Sequence, residues 1–121
     1  MSAEILSSND GILAVKLAGK LTQPDLAAVQ QRAAEILKQQ SRMRLLVLAE
    51  QFEGWEKGGN WGDLSFQMEA DPHIEKLAIV GEKKWEGLAI LFTGKGLREF
   101  PIEFFPPEQA AQARTWLADK R

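Results

Sequence analysis

"RLLVLAE", residues 44–50, is the stretch that decides the fold of this chain. Its apolar centre is continuous, and charged residues bound it on both sides. A half-exposed strand alternates apolar and polar residues, whereas a strand that is covered on both faces has an unbroken apolar run. Strands of the second kind occur mostly in parallel sheets with helices on both faces. The stretch therefore predicts a central strand of a largely parallel α/β sheet.

A second unbroken apolar run follows residues 44–50 in the sequence, and a helical pattern precedes them. "KLAIVG", residues 76–81, is a second apolar run of strand length. Residues 22–40 are predicted to form a helix, because Thr22 lies three residues before Asp25, which is the spacing of a capping-box variant. The helical interval is kept by Leu26, Val29, Ala33, Ile36 and Leu37.

The N-terminal part of the chain predicts a β-hairpin. "AEILSS" (3–8) and "GILAVKLAG" (11–19) are apolar-rich runs separated by Asn9, Asp10 and Gly11. These residue types tolerate the positive φ angles of tight turns, so the two runs are expected to pair as neighbouring strands.

The C-terminal part predicts one more strand and one more helix. "REFPIEFF" (98–105) is a strand pattern in which Pro101 indicates a position at the sheet edge. Strand alternation places Phe100, Ile102 and Phe104 on one face. Pro107 then begins a helix, since proline is favoured in the first helical turn. That helix is expected to bury Ala110, Ala113 and Leu117.

Two shorter helices are predicted in the middle of the chain. Asn60 is a suitable N-cap for a helix over 63–70, and a second helix over 82–93 follows the strand 76–81. The second helix has helical spacing at Trp85, Leu88, Ala89 and Phe92. The predicted order is ββαβαβαβα, an α/β fold with a single-layer mixed, mostly parallel sheet and flanking helices. We expect one domain over residues 1–121, because a chain of this length supports a single core.

Composition excludes several classes of function. The chain has 121 residues, of which 45% are hydrophobic and 26% charged, and a net charge of −2. It has no long basic stripe, so nucleic acid is not an expected partner. The absence of cysteine excludes disulfides and thiol chemistry. No apolar run approaches the roughly 18 residues of a membrane span, and the N-terminus lacks a signal peptide pattern, so we expect a cytoplasmic protein without stable membrane insertion.

The order and spacing of several segments resemble the SpoIIAA-like family of small bacterial proteins. These segments are "LTQPDL" (21–26), "LLVLAEQFEGW" (45–55), "WGDLSF" (61–66), "HIEKLAIVGEKKW" (73–85) and "EFFPPEQAAQARTWL" (103–117). The resemblance extends over essentially the whole chain. The family is similar in fold to STAS domains, the fold of anti-anti-sigma factors, and has been compared with CRAL-TRIO lipid-transfer domains. The resemblance implies a mixed sheet with flanking helices, no catalytic role, and binding of small nonpolar ligands or regulatory partners.

One departure from that pattern concerns phosphorylation. Anti-anti-sigma proteins resemble each other in having a phosphorylatable serine soon after the central strand. This chain has "AEQFEGWEKGGNWG" (49–62) there, without serine or threonine, and the nearest hydroxyl is Ser65 within the next predicted helix. We therefore do not expect a phosphorylation switch of the anti-anti-sigma type.

The glycines before the helix 63–70 have two interpretations. A glycine-rich loop at a helix N-terminus can bind phosphate through backbone N–H groups. However, the spacing of Gly58, Gly59 and Gly62 matches neither dinucleotide-binding nor P-loop motifs, and no Lys-Ser/Thr pair follows. The favoured interpretation is a sharp turn into the helix that can also serve as a hinge.

Polar residues give little support to catalysis. His73, the single histidine, lies among Glu69, Asp71 and Glu75, but transition-metal sites usually use more than one imidazole or thiolate. The carboxylates that follow the central strand resemble a solvated surface loop; they are Glu50, Glu53 and Glu56. We therefore expect no metal, no cofactor and no catalytic residues, with an enzyme based on His73 as the least favoured hypothesis.

Aromatic residues of the second half are the strongest candidates for a site. They either fill the core or line a pocket for a small nonpolar, lipid-like ligand between the sheet and the helices 63–70 and 82–93. The predicted lining residues are Trp61, Leu64, Phe66, Met68, Trp85, Leu88 and Phe92, and the predicted hinges are Gly58, Gly59, Gly62 and Gly94. The alternative is a STAS-like module that docks on a regulatory protein or forms a homodimer, with Trp55 and the 50–62 loop as its contact.

Overall fold

A five-stranded sheet forms the centre of the computed structural model, which describes residues 3–9, 11–40, 43–55, 73–87 and 100–118. The strands are β1 (Ala3–Asn9), β2 (Ile12–Leu21), β3 (Met43–Trp55), β4 (Ile74–Gly81) and β5 (Ile102–Phe105). The helices within the described ranges are α1 (Gln23–Gln40) and α2 (Ala110–Ala118).

The strands follow one another across the sheet in the order β1-β2-β3-β4-β5. The pair β1–β2 is antiparallel, and the pairs β2–β3, β3–β4 and β4–β5 are parallel. The predicted fold class, a mixed and mostly parallel sheet with flanking helices, is therefore confirmed. None of the helices in the described part of the chain is long and apolar enough to cross a membrane.

Local signals near the N-terminus are also confirmed. Asn9 pairs with Ile12 across the hairpin turn, where Gly11 has a φ of 76°. The Thr22 hydroxyl accepts a hydrogen bond from the Asp25 backbone N–H at 3.2 Å, as expected for the N-cap of α1. Turn chemistry and capping therefore position β2 and α1 one after the other.

Side chains of the sheet divide into two apolar clusters, one on each face. We call the side that packs on α1 the α1 face; its fully buried members include Leu13, Leu37 and Ile102. The side that packs on α2 is the α2 face. Its buried members are Ala14, Leu46, Ala78, Val80, Ala113 and Leu117. Because successive residues of a strand point to opposite faces, β3 and β4 contribute apolar residues to both clusters, which explains their unbroken apolar runs.

The central strand is longer than predicted. The apolar run predicts an end at Glu50, whereas β3 continues to Trp55 by pairing with the end of β2. The stretch 50–55 is therefore strand, and the expectation of a loop from residue 50 is wrong for it. The reason is tertiary: β2 extends to Leu21 and supplies backbone partners to a segment whose glutamates and glycine have low strand propensity.

The C-terminal elements match their predictions in part. Within the predicted strand 98–105, the strand β5 covers Ile102–Phe105 and follows Pro101, whose missing N–H cannot join a ladder. Phe100, Ile102 and Phe104 all belong to the α1 face. Ala113 and Leu117 are buried in the α2 face, and Ala110 is partly buried against it. The predicted helix 63–70 lies outside the described residues. Of the predicted helix 82–93, the structure describes a 3-10 turn over Lys83–Trp85 and two helical residues after it, and the remainder lies outside the described residues.

Candidate functional site

β2 and β3 extend beyond β4 at the carboxyl end of the sheet. β4 ends at Gly81, which pairs with Ala49, whereas β3 continues beside β2 to Trp55. The β2–β3 pairing shifts register twice in this extension, between Lys16 and Ala18 and again between Gly19 and Lys20. Extra residues in a strand re-aim side chains, and the carboxyl ends of parallel strands are where open α/β sheets bind ligands. We call this region the carboxyl rim.

The first register shift determines where Phe52 points. Lys16 pairs with Leu48 and Ala18 with Gln51, so β3 contains one residue more than β2 between these pairs. Without that residue, strand alternation would place Phe52 on the face opposite Leu45. With it, Phe52 lies on the α1 face, buried with Leu45 and Ala49.

An aromatic pair on the α1 face lies at the carboxyl rim. The rings of Phe52 and Trp85 have centroids 5.1 Å apart and an interplanar angle of 67°, an edge-to-face arrangement. Such pairs contribute about 0.5–1.5 kcal/mol beyond the burial of their surface. Phe52 is buried, while Trp85 is partly exposed and packs against the edge of the α1-face cluster. The pair therefore connects the core to the rim.

Glycine at position 54 lies beneath the indole. Gly54 has a φ of 115°, in the region that side chains rarely adopt, so the backbone conformation at this position requires glycine. A β-carbon there would lie in van der Waals contact with Trp85, 3.4 Å from Cη2. The end of β3 and the indole are therefore close neighbours at the rim.

Charged residues border the outer side of this pair. Lys84 Nζ lies 5.5 Å from the centroid of the Trp85 ring and 3.8 Å from Oε2 of Glu82. The side chains of Lys84 and Glu82 are 65% and 48% exposed, so water screens their attraction and the ion pair contributes little to stability. The rim thus has an apolar inner side and a solvated outer side.

A second aromatic pair lies on the α2 face. The ring centroids of Phe105 and Trp116 are 6.0 Å apart, with an interplanar angle of 53°. Lys76 of β4 is only 7% exposed, and its Nζ donates a hydrogen bond of 2.9 Å to the backbone oxygen of Trp116. The same Nζ lies 4.9 Å from the centroid of the Trp116 ring, within the range of a cation–π contact. In the sequence Lys76 is only the first residue of the run 76–81, so this contact was not predicted.

The amino end of the same strand pair carries a further ion pair. Arg44 of β3 is the pairing partner of Lys76, and its guanidinium lies 3.7 Å from Oε2 of Glu75. The Arg44 side chain is 15% exposed and that of Glu75 is 39% exposed. The two cations of neighbouring strands thus have different partners, a carboxylate for Arg44 and a helix carbonyl for Lys76.

Most of the site residues predicted from the sequence lie outside the described ranges. Trp85 is described, at the carboxyl rim on the α1 face. The residues outside are Trp61, Leu64, Phe66, Met68, Leu88 and Phe92, with the hinge glycines Gly58, Gly59, Gly62 and Gly94. Their roles stay predictions. Phe52 and Gly54, which contact Trp85, were not predicted as site residues, and the glycine within "QFEGW" was the available signal.

The described residues contain no group of three or more histidine, aspartate or glutamate side chains that could hold a metal ion. His73 directly precedes β4 and is partly buried. Glu53 is exposed on β3, with Oε2 3.8 Å from the position of a β-carbon at Gly19. His73 lies at the amino end of β4, and Glu53 lies near the carboxyl end of β3. Because these strands are parallel, the two residues are at opposite ends of the sheet and do not form a common site.

Comparison with known proteins identifies the family. A family model for SpoIIAA-like proteins matches residues 12–118. The chain belongs to the SpoIIAA-like family. The resemblance inferred from the order of its segments is therefore confirmed.

A solved structure agrees with this SpoIIAA-like assignment. It is the crystal structure of an uncharacterised protein of the DUF3478 family with a SpoIIAA-like fold from Shewanella loihica PV-4. The two chains are 23% identical, the match covers 95% of this chain and 91% of the other, and the TM-score is 0.72. At that identity the likeness supports the fold alone. A comparison with curated proteins found no match.

Proposed function

We propose that this SpoIIAA-like domain is a non-enzymatic binding protein that takes up a small nonpolar ligand on the α1 face at the carboxyl rim. The observation that supports this is the Phe52–Trp85 pair, in which a buried ring supports a partly exposed one. Ligand sites are mostly apolar concave surfaces with a few polar groups at their border. An indole at the end of β3, with Lys84 and Glu82 outside it, supplies an apolar surface with polar groups at its border.

Position within the sheet favours the rim over other apolar surfaces. Open α/β sheets bind ligands outside the carboxyl ends of their strands, because the loops that follow the strands can form a cleft there. The predicted helices 63–70 and 82–93 follow β3 and β4 in the sequence, and Trp85 lies in the described 3-10 turn at the start of the second. We propose that the ligand lies between these helices and the sheet, with Phe66 and Phe92 among its contacts.

Binding of pyrene, a neutral apolar fluorophore, tests this proposal. Energy transfer from tryptophan to pyrene reports occupancy, and titration gives Kd. We expect Trp85→Phe and Phe52→Leu to raise Kd roughly five- to tenfold, because each removes part of an aromatic contact surface. Trp116→Phe is the matched control, since Trp116 also pairs with a phenylalanine but lies on the α2 face. An equal rise of Kd in Trp116→Phe would contradict the proposed position.

Native followed by denaturing mass spectrometry of the protein from its own organism identifies a natural ligand. We expect a stoichiometric organic adduct that denaturation releases. An apo homodimer, or a complex with a regulatory protein, would instead favour the STAS-like interaction module. In that case pyrene binding is expected to be weak and insensitive to Trp85→Phe.

A further inference from the structure

The C-terminal helix α2 depends on the sheet for its stability. It has nine residues, and helices shorter than about 12–15 residues are marginal in water by themselves. The turn before it, Pro107–Gln109, has no side-chain cap at Pro106. Within α2, the Thr115 hydroxyl donates to the backbone oxygen of Ala111 at 3.1 Å, a local contact that does not strengthen a helix. Packing on the α2 face must therefore supply most of its stability.

That packing has few anchors. The fully buried side chains of α2 are Ala113 and Leu117, and only the second is large. By comparison, α1 has 18 residues and a side-chain N-cap. Elements with few buried apolar contacts open at lower free energy than the core of a domain. Among the described elements, α2 is thus the candidate for independent opening.

Lys76 gives α2 a polar anchor near its C-terminus. A cation near the last carbonyls of a helix satisfies unpaired acceptors and interacts favourably with the helix dipole. The hydrogen bond to Trp116 joins residues 40 positions apart, so it forms only when α2 is docked on β4. The indole of Trp116 covers the same ammonium group, at 4.9 Å from the ring centroid.

The position of this cation is unusual for a permanent core. Lys76 shares its side of β4 with Ala78 and Val80, and its ammonium group has the Trp116 carbonyl as a partner only while α2 is docked. A buried ammonium group needs polar partners, and water can replace the Trp116 carbonyl when α2 lifts. With α2 away, Lys76 would also interrupt the apolar surface that Ala78 and Val80 present on this face. The lysine suits a cover that opens and closes again.

We propose that α2 is a detachable cover of the α2 face, which opens as a unit while the sheet remains folded, and that the Lys76–Trp116 contact sets how often it opens. α2 packs on the face opposite the Phe52–Trp85 pair, so this proposal does not rest on ligand binding at the carboxyl rim. Opening would uncover Leu46, Ala78 and Val80.

Native-state hydrogen exchange of the full chain tests the first part of the proposal. Backbone amides of residues 114–118 are expected to exchange through an opening with a weaker urea dependence than global unfolding, at least tenfold faster than amides of β3 and β4. Those strand amides should exchange only by global unfolding. If the amides of α2 and the central strands share one rate and one urea dependence, α2 does not open by itself and the proposal is overturned.

Lys76→Met tests the second part, because it removes the charge and nearly keeps the length of the side chain. Loss of a charge-assisted hydrogen bond is expected to speed exchange of the α2 amides about tenfold or more, with less change in β3. Lys84→Met is the matched control, since Lys84 also lies over an indole but is exposed on the other face. Unchanged or slower α2 exchange in Lys76→Met would overturn the assigned role of Lys76.

Discussion

Among the described residues, each face of the sheet has one phenylalanine–tryptophan pair, and the two pairs differ in what surrounds them. Phe52 and Trp85 meet edge to face at the carboxyl rim, beside a glycine and the large α1-face cluster. The ring centroids of Phe105 and Trp116 are farther apart, at 6.0 Å. Trp116 belongs to the nine-residue helix α2, and its ring lies beside the ammonium group of Lys76. The α1 face draws buried residues from all five strands and from α1.

This difference suggests a division of roles between the faces. Under the two proposals above, the Phe52–Trp85 pair forms part of a binding surface and the Phe105–Trp116 pair forms part of a helix anchor. Among the described residues, the α1 face has many more buried side chains than the α2 face. We therefore expect α2, the cover of the smaller cluster, to be the element that moves.

The largest expected effects compare one fully buried leucine from each face. Leu13→Ala should lower the free energy of unfolding by about 4 kcal/mol, and Leu117→Ala by about 2–3 kcal/mol. Both substitutions remove the same atoms, but α2 can shift to reduce the cavity more easily than the centre of the sheet can. Urea denaturation measures both values. A larger loss for Leu117→Ala would mean that α2 is as rigidly held as the strands.

A smaller effect is expected where Trp85 contacts the end of β3. Gly54→Ala should cost about 2–3 kcal/mol, because a φ of 115° lies beyond the left-handed helical region and strains any residue with a β-carbon. Gly11→Ala is the control: its φ of 76° is close to the left-handed helical region and a β-carbon there meets nothing, so we expect about 1 kcal/mol. Thermal or urea unfolding gives both values, and tryptophan emission should shift only in Gly54→Ala, where the new methyl group touches Trp85. Equal costs would mean that the two backbone conformations are equally strained.

Loss of the helix cap on the α1 side should have a still smaller effect. Thr22→Ala removes the acceptor for the Asp25 N–H and should cost about 1 kcal/mol. Thr22→Ser keeps the hydroxyl and serves as the control. Hydrogen exchange should show the loss in the first turn of α1, without faster exchange in α2. Faster exchange in α2 would indicate that the two faces are coupled through the sheet.

The smallest effect is expected outside both faces. Arg32 and Glu35 form an ion pair of 3.2 Å on the surface of α1, with side chains 66% and 55% exposed. Arg32→Ala should change the free energy of unfolding by less than about 0.5 kcal/mol, and high salt should remove the difference. A loss above 1 kcal/mol would mean that surface charge contributes to stability as much as a helix cap does.

Signals between near neighbours predicted much of this fold. The unbroken apolar run at 44–50, the capping pair at Thr22 and Asp25, and the turn at Gly11 depend on residues a few positions apart. They were sufficient for the sheet class and for the first helix. Trp85 was identified as an aromatic candidate for the same reason, through its spacing within a helical pattern.

Contacts between distant residues were not predictable in this way. Phe52 is even-numbered, while the α1-face residues of the preceding part of β3 are odd-numbered, so alternation alone places it on the wrong face. Only pairing with β2 reveals the inserted residue. Lys76 looks like the end of a strand in the sequence, and its hydrogen-bond partner lies 40 residues away.

Sequence by itself therefore determined the class of the sheet, the start of α1, the hairpin turn and the buried residues of α2, because periodicity, turn chemistry and capping act over short distances along the chain. Tertiary structure alone decided how far β3 extends, which face Phe52 occupies, that Gly54 receives an indole, and that Lys76 anchors α2. These features depend on the register between strands and on the docking of a helix, and register is set by backbone hydrogen bonds and packing that distant parts of the chain supply together.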